Sequence, residues 1–530
     1  MDATPPTSTT SQSPHPWRAA AAAVVSGILF ALAFPPFEWV VLLPVALVPW
    51  LASLWVEESR RRAIFSGLLF GLAFWCLSIP WIVYVVTHYG GQGSVMGVVC
   101  LLILATILAE WPALVAGGTV ACAPAGSLRR LAVFPLLWMA SEHARTFVYK
   151  GFPWNLTGHA LFRHPAWIQS ASIWGVYGLG FAVVGTSALI AAAVVQRNLR
   201  PGIAAAVLVA AIGIGGASRL ARPPQPARSI SVALVQPNLS EEDKEEPGGS
   251  AKSYRIVLDQ ALEASRARAD LIVLPESALV PLYWQGSEIL RRDLVRVADE
   301  CCLVLFNDIE EEASGRYYNV ARLLGPEGLR GRPYRKVHLV PFGEYVPLPR
   351  VFFFVRQISN VIGEFSAARM PTLLESDGVR IGMGVCYEIT YPEIARIEAR
   401  DGANLLVTIS NDSWYGRAGA QAQHFAGAVI RAVETRRYLL RAAITGISGI
   451  VDEKGRIRSE LPDGRRGTVN GQARLIESPT AWVRWGFWIP RAADVAAAAV
   501  LLFGLVRWVA ERRVSPARRK AKKESLHSDL

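Results

Sequence analysis

Leu271-Ile-Val-Leu-Pro-Glu-Ser277 reads as a short buried strand with a carboxylate, Glu276, set just past its end. Two further stretches share this character. Tyr334-Arg-Lys-Val-His-Leu-Val-Pro-Phe-Gly-Glu-Tyr-Val-Pro347 carries Lys336, and Arg380-Ile-Gly-Met-Gly-Val-Cys-Tyr-Glu388 ends an apolar strand on Cys386. The intervals are 60 residues from Glu276 to Lys336 and 50 from Lys336 to Cys386. Taken singly, each residue has an ordinary structural reading: a solvated Glu, a surface Lys, a core Cys. Together they place a thiol nucleophile, a carboxylate base and a cation on one domain. A thiol needs a base or a nearby cation before it attacks a carbonyl, so the combination points to acyl chemistry. Glu344, eight residues past Lys336, is a second carboxylate in the same stretch, and its plain alternative is a loop salt bridge.

Working outward, strands and helices alternate around these stretches. Pro223, Pro224 and Pro226 mark a linker, and Ser229–Gln236 is a β-branched strand candidate. Residues 251–268 have helical apolar spacing at Tyr254, Val257, Leu258, Ala261 and Leu262. Further strands are expected at 303–307, 317–324, 380–385, 404–409 and 443–451, with helices near 286–300, 391–400 and 422–440. Short apolar strands interleaved with helices indicate an α/β layered domain.

The rest of the chain is of a different kind. Of its 530 residues 52% are hydrophobic and 18% charged, and mean hydropathy is +0.28, unusual for a soluble protein. Candidate membrane spans fall at roughly 20–35, 39–56, 63–86, 95–118, 128–146, 168–195, 201–219 and 490–509, most near the ~20 apolar residues that cross the hydrocarbon. Arg18, Arg60–Arg62, Arg129, Arg130, Arg197, Arg200, Arg507, Arg512 and Arg513 alternate with loops at 36–38 and 87–94 that carry no Lys or Arg. The alternation puts the N-terminus (1–19) in the cytoplasm, seven spans within 20–219, a domain of 220–489 outside the cytoplasm, an eighth span at 490–509 and a basic cytoplasmic tail at 510–530. The net charge of +12 is thus topogenic, and nucleic acid is not an expected partner. Cys76, Cys100 and Cys122 read as core fillers in apolar segments, and Cys301 and Cys302 as strand residues. No metal-ligand spacing or cofactor motif occurs, so neither metal nor cofactor is expected. Glu110 and Glu142 lie in or near spans, where a carboxylate is costly and marks a site or a packing contact. Trp81, Tyr84, His88, Tyr89, Trp154 and His159 fall in or beside outer loops, as interfacial anchors or as the lining of a lipid access route.

On the Leu-Pro-Glu, Lys-Val-His-Leu-Val-Pro-Phe-Gly-Glu and Val-Cys-Tyr-Glu words, the polar domain resembles the nitrilase superfamily. With its eight spans and Ile409-Ser-Asn-Asp-Ser-Trp-Tyr-Gly416, residues 20–510 resemble the apolipoprotein N-acyltransferase family. The resemblance implies a nitrilase-like αββα sandwich on a multi-pass α-helical membrane domain. It implies Glu276, Lys336 and Cys386 as a catalytic triad, with Glu344, Tyr387 and Glu388 in support. Trp154, Trp414 and Tyr415 are candidate substrate or lid contacts, and the segments near 343–372 and 412–422, which hold Gly, Pro or small residues beside these motifs, are expected to be mobile and are candidate gates. It further implies an inner-membrane enzyme whose catalytic domain faces the periplasm. That enzyme moves an acyl chain from a membrane phospholipid, through a cysteine thioester, to the α-amino group of a diacylglyceryl-apolipoprotein. The sequence departs from the family where an aromatic usually follows the lysine of the first loop: Lys244 is followed by Glu245. A membrane-tethered amidase and a catalytically silent lipid-binding protein are the competing readings.

Overall fold

A computed structural model of the chain describes residues 16–224, 226–299, 302–346 and 364–506. Residues 1–15 of the expected N-terminal tail 1–19, the tail 510–530, Cys301 and most of the candidate gate at 343–372 lie outside them.

The first part is helical: α1 (Pro16–Leu32), a broken stretch over 40–56, α2 (Arg60–Ser78), α3 (Ser94–Cys122), α4 (Arg129–Ala144), α5 (Ala171–Gln196) and α6 (Leu199–Ala221). Among the described residues five helices are long and apolar enough to cross a membrane: α2, α3, α5, α6 and Trp488–Val506. Residues 17–32 and 40–56 are shorter apolar helical stretches, and α4 has 16 residues. The expected span 63–86 is interrupted. α2 stops at Ser78, two residues before Pro80, and the chain resumes as Trp81–Tyr84 and a π-helical turn, Val85–Tyr89. Proline lacks the N–H that would continue the ladder and pushes its predecessor out of the helical region. Glu142 is buried and accepts from the backbone N–H and the hydroxyl of Thr157, at 2.6 and 2.7 Å. Glu110 is exposed on α3.

The second part has two six-stranded sheets. One has the order β12-β1-β2-β3-β4-β5 and the other β11-β10-β9-β8-β7-β6. Their strands are β1 (Ser229–Gln236), β2 (Leu271–Val273), β3 (Leu303–Glu311), β4 (Tyr317–Gly325), β5 (Gly328–Arg335), β6 (Leu374–Ser376), β7 (Val379–Val385), β8 (Leu405–Ser410), β9 (Leu439–Ala443), β10 (Ser448–Val451), β11 (Ile457–Leu461) and β12 (Gly467–Arg474). β1, β2 and β3 run parallel, as do β7, β8 and β9. Period-two alternation assigns the faces. In β1, Ile230, Val232 and Leu234 point into a core shared with Ile381, Met383 and Val385 of β7. Ala233 and Val235 face the opposite way, toward helices α7 (Gly249–Arg266) and α8 (Glu288–Asp299). The outer face of the second sheet is covered by α9 (Pro392–Arg400) and α10 (Ala420–Thr435). The layers are therefore helix, sheet, sheet, helix: the αββα sandwich.

The membrane domain packs on the α10 side. Leu156, Phe162, Tyr177 and Leu179 share a core with Phe425, Val429 and Val433. Two glycines permit the close approach. A Cβ on Gly416 (φ +60°) would stand 2.8 Å from the Tyr84 ring, and one on Gly419 (φ +89°) 2.7 Å from Pro36. Both positions combine a left-handed backbone with no room for a side chain.

Candidate active site

Three strand ends, two from the first sheet and one from the facing sheet, bring Glu276, Lys336 and Cys386 together. Glu276 follows β2, Lys336 follows β5 and Cys386 follows β7, and all three are buried. Lys336 Nζ lies 3.4 Å from Glu276 Oε1 and 3.0 Å from Glu344 Oε1. Asn319 Nδ2, on β4, donates to the same two carboxylate oxygens, at 3.0 Å to Glu276 and 2.8 Å to Glu344. Asn319 is itself fixed by Asn307 Nδ2, 2.7 Å from its Oδ1. The second oxygen of Glu276 accepts from the backbone N–H of Asn411 at 3.0 Å, and that of Glu344 from Val340 N–H at 2.8 Å. Every oxygen of both carboxylates is thus oriented by a donor.

Charge states follow from this arrangement. Burial alone would pull Lys336 below the ordinary lysine range. The carboxylates of Glu344 and Glu276 outweigh it and hold the ammonium above the ordinary lysine range. Cys386 is pushed the other way. Burial, then the Glu276 carboxylate, hold its thiol well above the ordinary value, and Lys336 only partly offsets them. At neutral pH these shifts leave Lys336 as an ammonium and Cys386 as a protonated thiol. Opposite and like charges at short range act in these directions.

Cys386 sits at φ +55°, a left-handed conformation uncommon for a residue with a Cβ. Glu388, fully buried, holds this turn and the lysine strand together. Its Oε1 accepts from Val337 N–H at 2.6 Å and His338 N–H at 2.9 Å. Its Oε2 accepts from Tyr334 Oη at 2.8 Å and Val385 N–H at 2.9 Å. Burial pushes its carboxyl up to about 7, with Lys336 and the three N–H groups pulling down. The Tyr387 hydroxyl donates to the Gly151 carbonyl of the membrane domain at 3.0 Å.

The three candidate aromatics lie between the domains. Trp154 is buried, with its ring centroid 5.2 Å from Trp81, 5.8 Å from Tyr415 and 5.4 Å from His424. Tyr415 is buried against Trp81 at 5.0 Å. Trp414 is half-buried against Tyr89 at 4.4 Å. In the candidate gate 412–422, Asp412 Oδ2 accepts from Arg441 at 2.5 Å, and Gln421 donates to the Gly416 carbonyl. Lys244, before the unusual Glu245, reaches Glu241 Oε1 at 2.9 Å and the Ser277 carbonyl at 3.2 Å.

Sequence reasoning missed Asn307, Asn319, Asn411 and His424. Asn411 and His424 flank a stretch already singled out, whereas nothing near Asn307 or Asn319 marks them locally. Their significance comes from β3–β4 pairing, which sets Asn307 opposite Ala321 and Asn319 opposite Ile309 on one antiparallel ladder.

The comparisons divide the chain where its physics does. Residues 26–189 match the apolipoprotein N-acyltransferase N-terminal domain, and residues 231–475 match the carbon-nitrogen hydrolase family. A branch 10 nitrilase-superfamily protein from Saccharomyces cerevisiae aligns at 20% identity and a TM-score of 0.37, covering 48% of this chain and 93% of that one. The apolipoprotein N-acyltransferase of Geobacter metallireducens is 35% identical over 484 residues, spanning 88% of this chain and 91% of the relative. That of Methylococcus capsulatus is 33% identical over 482 residues, spanning 88% and 92%. A helical apolar domain, a nitrilase-type sandwich and full-length similarity at this level make the chain a member of the apolipoprotein N-acyltransferase family.

Proposed function

We propose that the protein transfers an acyl chain from a membrane phospholipid to the α-amino group of the N-terminal diacylglyceryl-cysteine of apolipoproteins, through a thioester on Cys386, and so completes their maturation. The observation that carries this reading is the buried Glu276–Lys336–Glu344 cluster beside a thiol, against the loops of an apolar helical domain.

In the first half-reaction Glu276 takes the thiol proton as sulfur attacks the ester carbonyl carbon. The tetrahedral oxyanion is met by the Lys336 ammonium and the Tyr387 N–H. The C–O bond to glycerol breaks, Glu276 returns the proton to the leaving oxygen, and lysophospholipid departs. In the second, the lipoprotein amine attacks the thioester carbonyl. Glu276 accepts a proton from nitrogen, the C–S bond breaks, and the proton passes to the departing sulfur. Lys336 stays charged throughout, because two carboxylates hold its proton; it is the electrostatic partner, not the base. Glu344 and Asn319 orient Lys336, and Glu388 orients its strand. Trp414, half-buried at the rim, contacts the acyl chains, while Trp154 and Tyr415 form the wall behind the site.

We assign residues 20–219 to seven crossings, 220–489 to a periplasmic catalytic domain and 490–509 to an eighth crossing of the inner membrane. Charge sorting supports this orientation. Pro36, from the loop at 36–38, and Tyr84 and Tyr89, beside and within the loop at 87–94, approach Gly419, Gly416 and Ser413 of the catalytic domain, and neither loop carries Lys or Arg. The arginine-bearing loops pair with each other instead, as where Arg130 donates to the Trp55 carbonyl at 3.0 Å. The excess of positive charge belongs on the cytoplasmic side.

Phospholipid supplied without acceptor should release lysophospholipid in a burst roughly stoichiometric with enzyme. Release that strictly requires a lipoprotein would establish a sequential reaction and refute the thioester route; steady release of free fatty acid would favour a hydrolase.

A further inference from the structure

The nucleophile's peptide is tied to the membrane domain through one dipeptide in the first turn of α10. Gln423 is buried, and its amide is fully used by the membrane domain. Its Nε2 donates to the carbonyls of Pro35 at 2.9 Å and Ser78 at 2.7 Å. Its Oε1 accepts from Trp81 Nε1 at 3.3 Å and from Trp154 Nε1. The next residue, His424, is fully buried and turns to the catalytic domain. Its Nε2 lies 2.8 Å from the carbonyl oxygen of Cys386.

The tautomer is determined by the partners. A carbonyl only accepts, so Nε2 carries the proton. On the other side Nδ1 lies 3.3 Å from Arg441 Nη2, which only donates. The same guanidinium nitrogen holds Asp412 Oδ2 at 2.5 Å, and Asp412 Oδ1 is 3.1 Å from Nδ1. Ser410 occupies Asp412 Oδ1 at 2.6 Å, and Arg441 Nε is fixed on the Ile447 carbonyl at 3.0 Å. Burial and Arg441 keep the imidazole below its ordinary range, in keeping with a neutral ring.

The carbonyl of Cys386 and the N–H of Tyr387 belong to one planar peptide unit. Whatever fixes the oxygen fixes the direction of the N–H. That N–H opens the helical turn Cys386–Thr390, where the first N–H groups have no partner within the turn. We infer that His424 is a positioning residue: by donating to the Cys386 carbonyl it aims the Tyr387 N–H at the oxyanion, and Gln423 registers that aim to the membrane domain from which the acyl chain arrives. The inference rests on the acyl-enzyme reading above.

The test separates steps that form an oxyanion from those that do not. Single-turnover acylation by phospholipid and alkylation by iodoacetamide are measured on the full chain in detergent for wild type, His424→Leu, His424→Gln and His424→Asn. Loss of one oxyanion donor costs ~10²–10³ in rate, so a mis-aimed donor in His424→Leu should slow acylation about 10–100-fold. Alkylation of the same thiol should change less than about threefold, since no oxyanion forms in it. His424→Gln, whose amide nitrogen reaches the place of Nε2, should recover acylation; His424→Asn, one methylene shorter, should not. Should His424→Leu fail to accumulate, the Gln and Asn variants carry the comparison alone. Equal acylation in Gln and Asn, or acylation and alkylation falling in parallel, overturns the inference. Absence of acylation at Cys386 in the wild type instead overturns the proposed function.

Discussion

Glu388→Gln tests whether a single buried carboxylate couples the lysine strand to the cysteine turn. Four donors converge on it: three backbone N–H groups and the Tyr334 hydroxyl. In the better orientation the glutamine oxygen keeps Val337 and His338, and its NH₂ faces Tyr334 and Val385. The hydroxyl can rotate to accept, but the Val385 N–H cannot. One buried donor is then orphaned, at about 1–3 kcal/mol, and the surviving bonds lose charge assistance, for a total of about 2–4 kcal/mol. At roughly 2–4 °C per kcal/mol for a domain of this size, the catalytic domain should melt about 4–16 °C lower. Because Val385 and Val337 flank Cys386 and Lys336, acylation should fall as well, and Glu388→Ala should be worse on both counts. The assay is thermal unfolding in detergent beside single-turnover acylation of the same samples. A melting point within 1–2 °C of wild type, roughly the equivalent of under 1 kcal/mol, would refute the four-donor account.

Other outcomes follow from the same geometry. Because the thiol is held above its ordinary value by burial and Glu276, alkylation of Cys386 should still be rising with pH through 9; a plateau near neutrality would contradict it. Glu276→Gln removes a charge that raises the thiol, so its alkylation should be as fast as wild type or faster while acylation collapses. Lys336→Met should keep the protein folded with Glu276 and Glu344 less well oriented, and slow acylation by ~10²–10³; full activity would remove the lysine from the site. Cysteines placed at Ser314 and Ala125, in a background free of other thiols, should react from opposite sides of the membrane, and labelling from the same side would invert the proposed topology.

Much of this arrangement was legible in the chain. The strand-end positions of Glu276 and Cys386 follow from short apolar runs that stop at a polar residue, and an α/β layered domain follows from short apolar strands interleaved with helices, whereas the αββα sandwich was implied only by the family resemblance. Glu388 was legible as a neighbour of the nucleophile but not as the tie between two strands, because its partners at 334–338 are about 50 residues away and meet it only through the core between the sheets. The charge balance at Cys386 was legible only in part. Sequence reasoning supplies the base and the cation, whereas the burial that, ahead of Glu276, holds the thiol above its ordinary value arises only when the strand ends meet. Asn319 carries no local signal because the need for it arises where two carboxylates separated by 68 residues in sequence share one lysine. The interruption at Pro80 was readable; what hid it was the continuous hydropathy on either side.

The central claim is a thioester on Cys386, and intact mass measures it directly. Purified protein incubated with a phospholipid of defined acyl chain and no acceptor should gain the mass of one acyl group. The adduct should be released by neutral hydroxylamine, and Cys386→Ala should gain nothing. An adduct of the same mass on the Cys386→Ala protein, or no adduct on a wild-type protein that still releases lysophospholipid, would contradict the account.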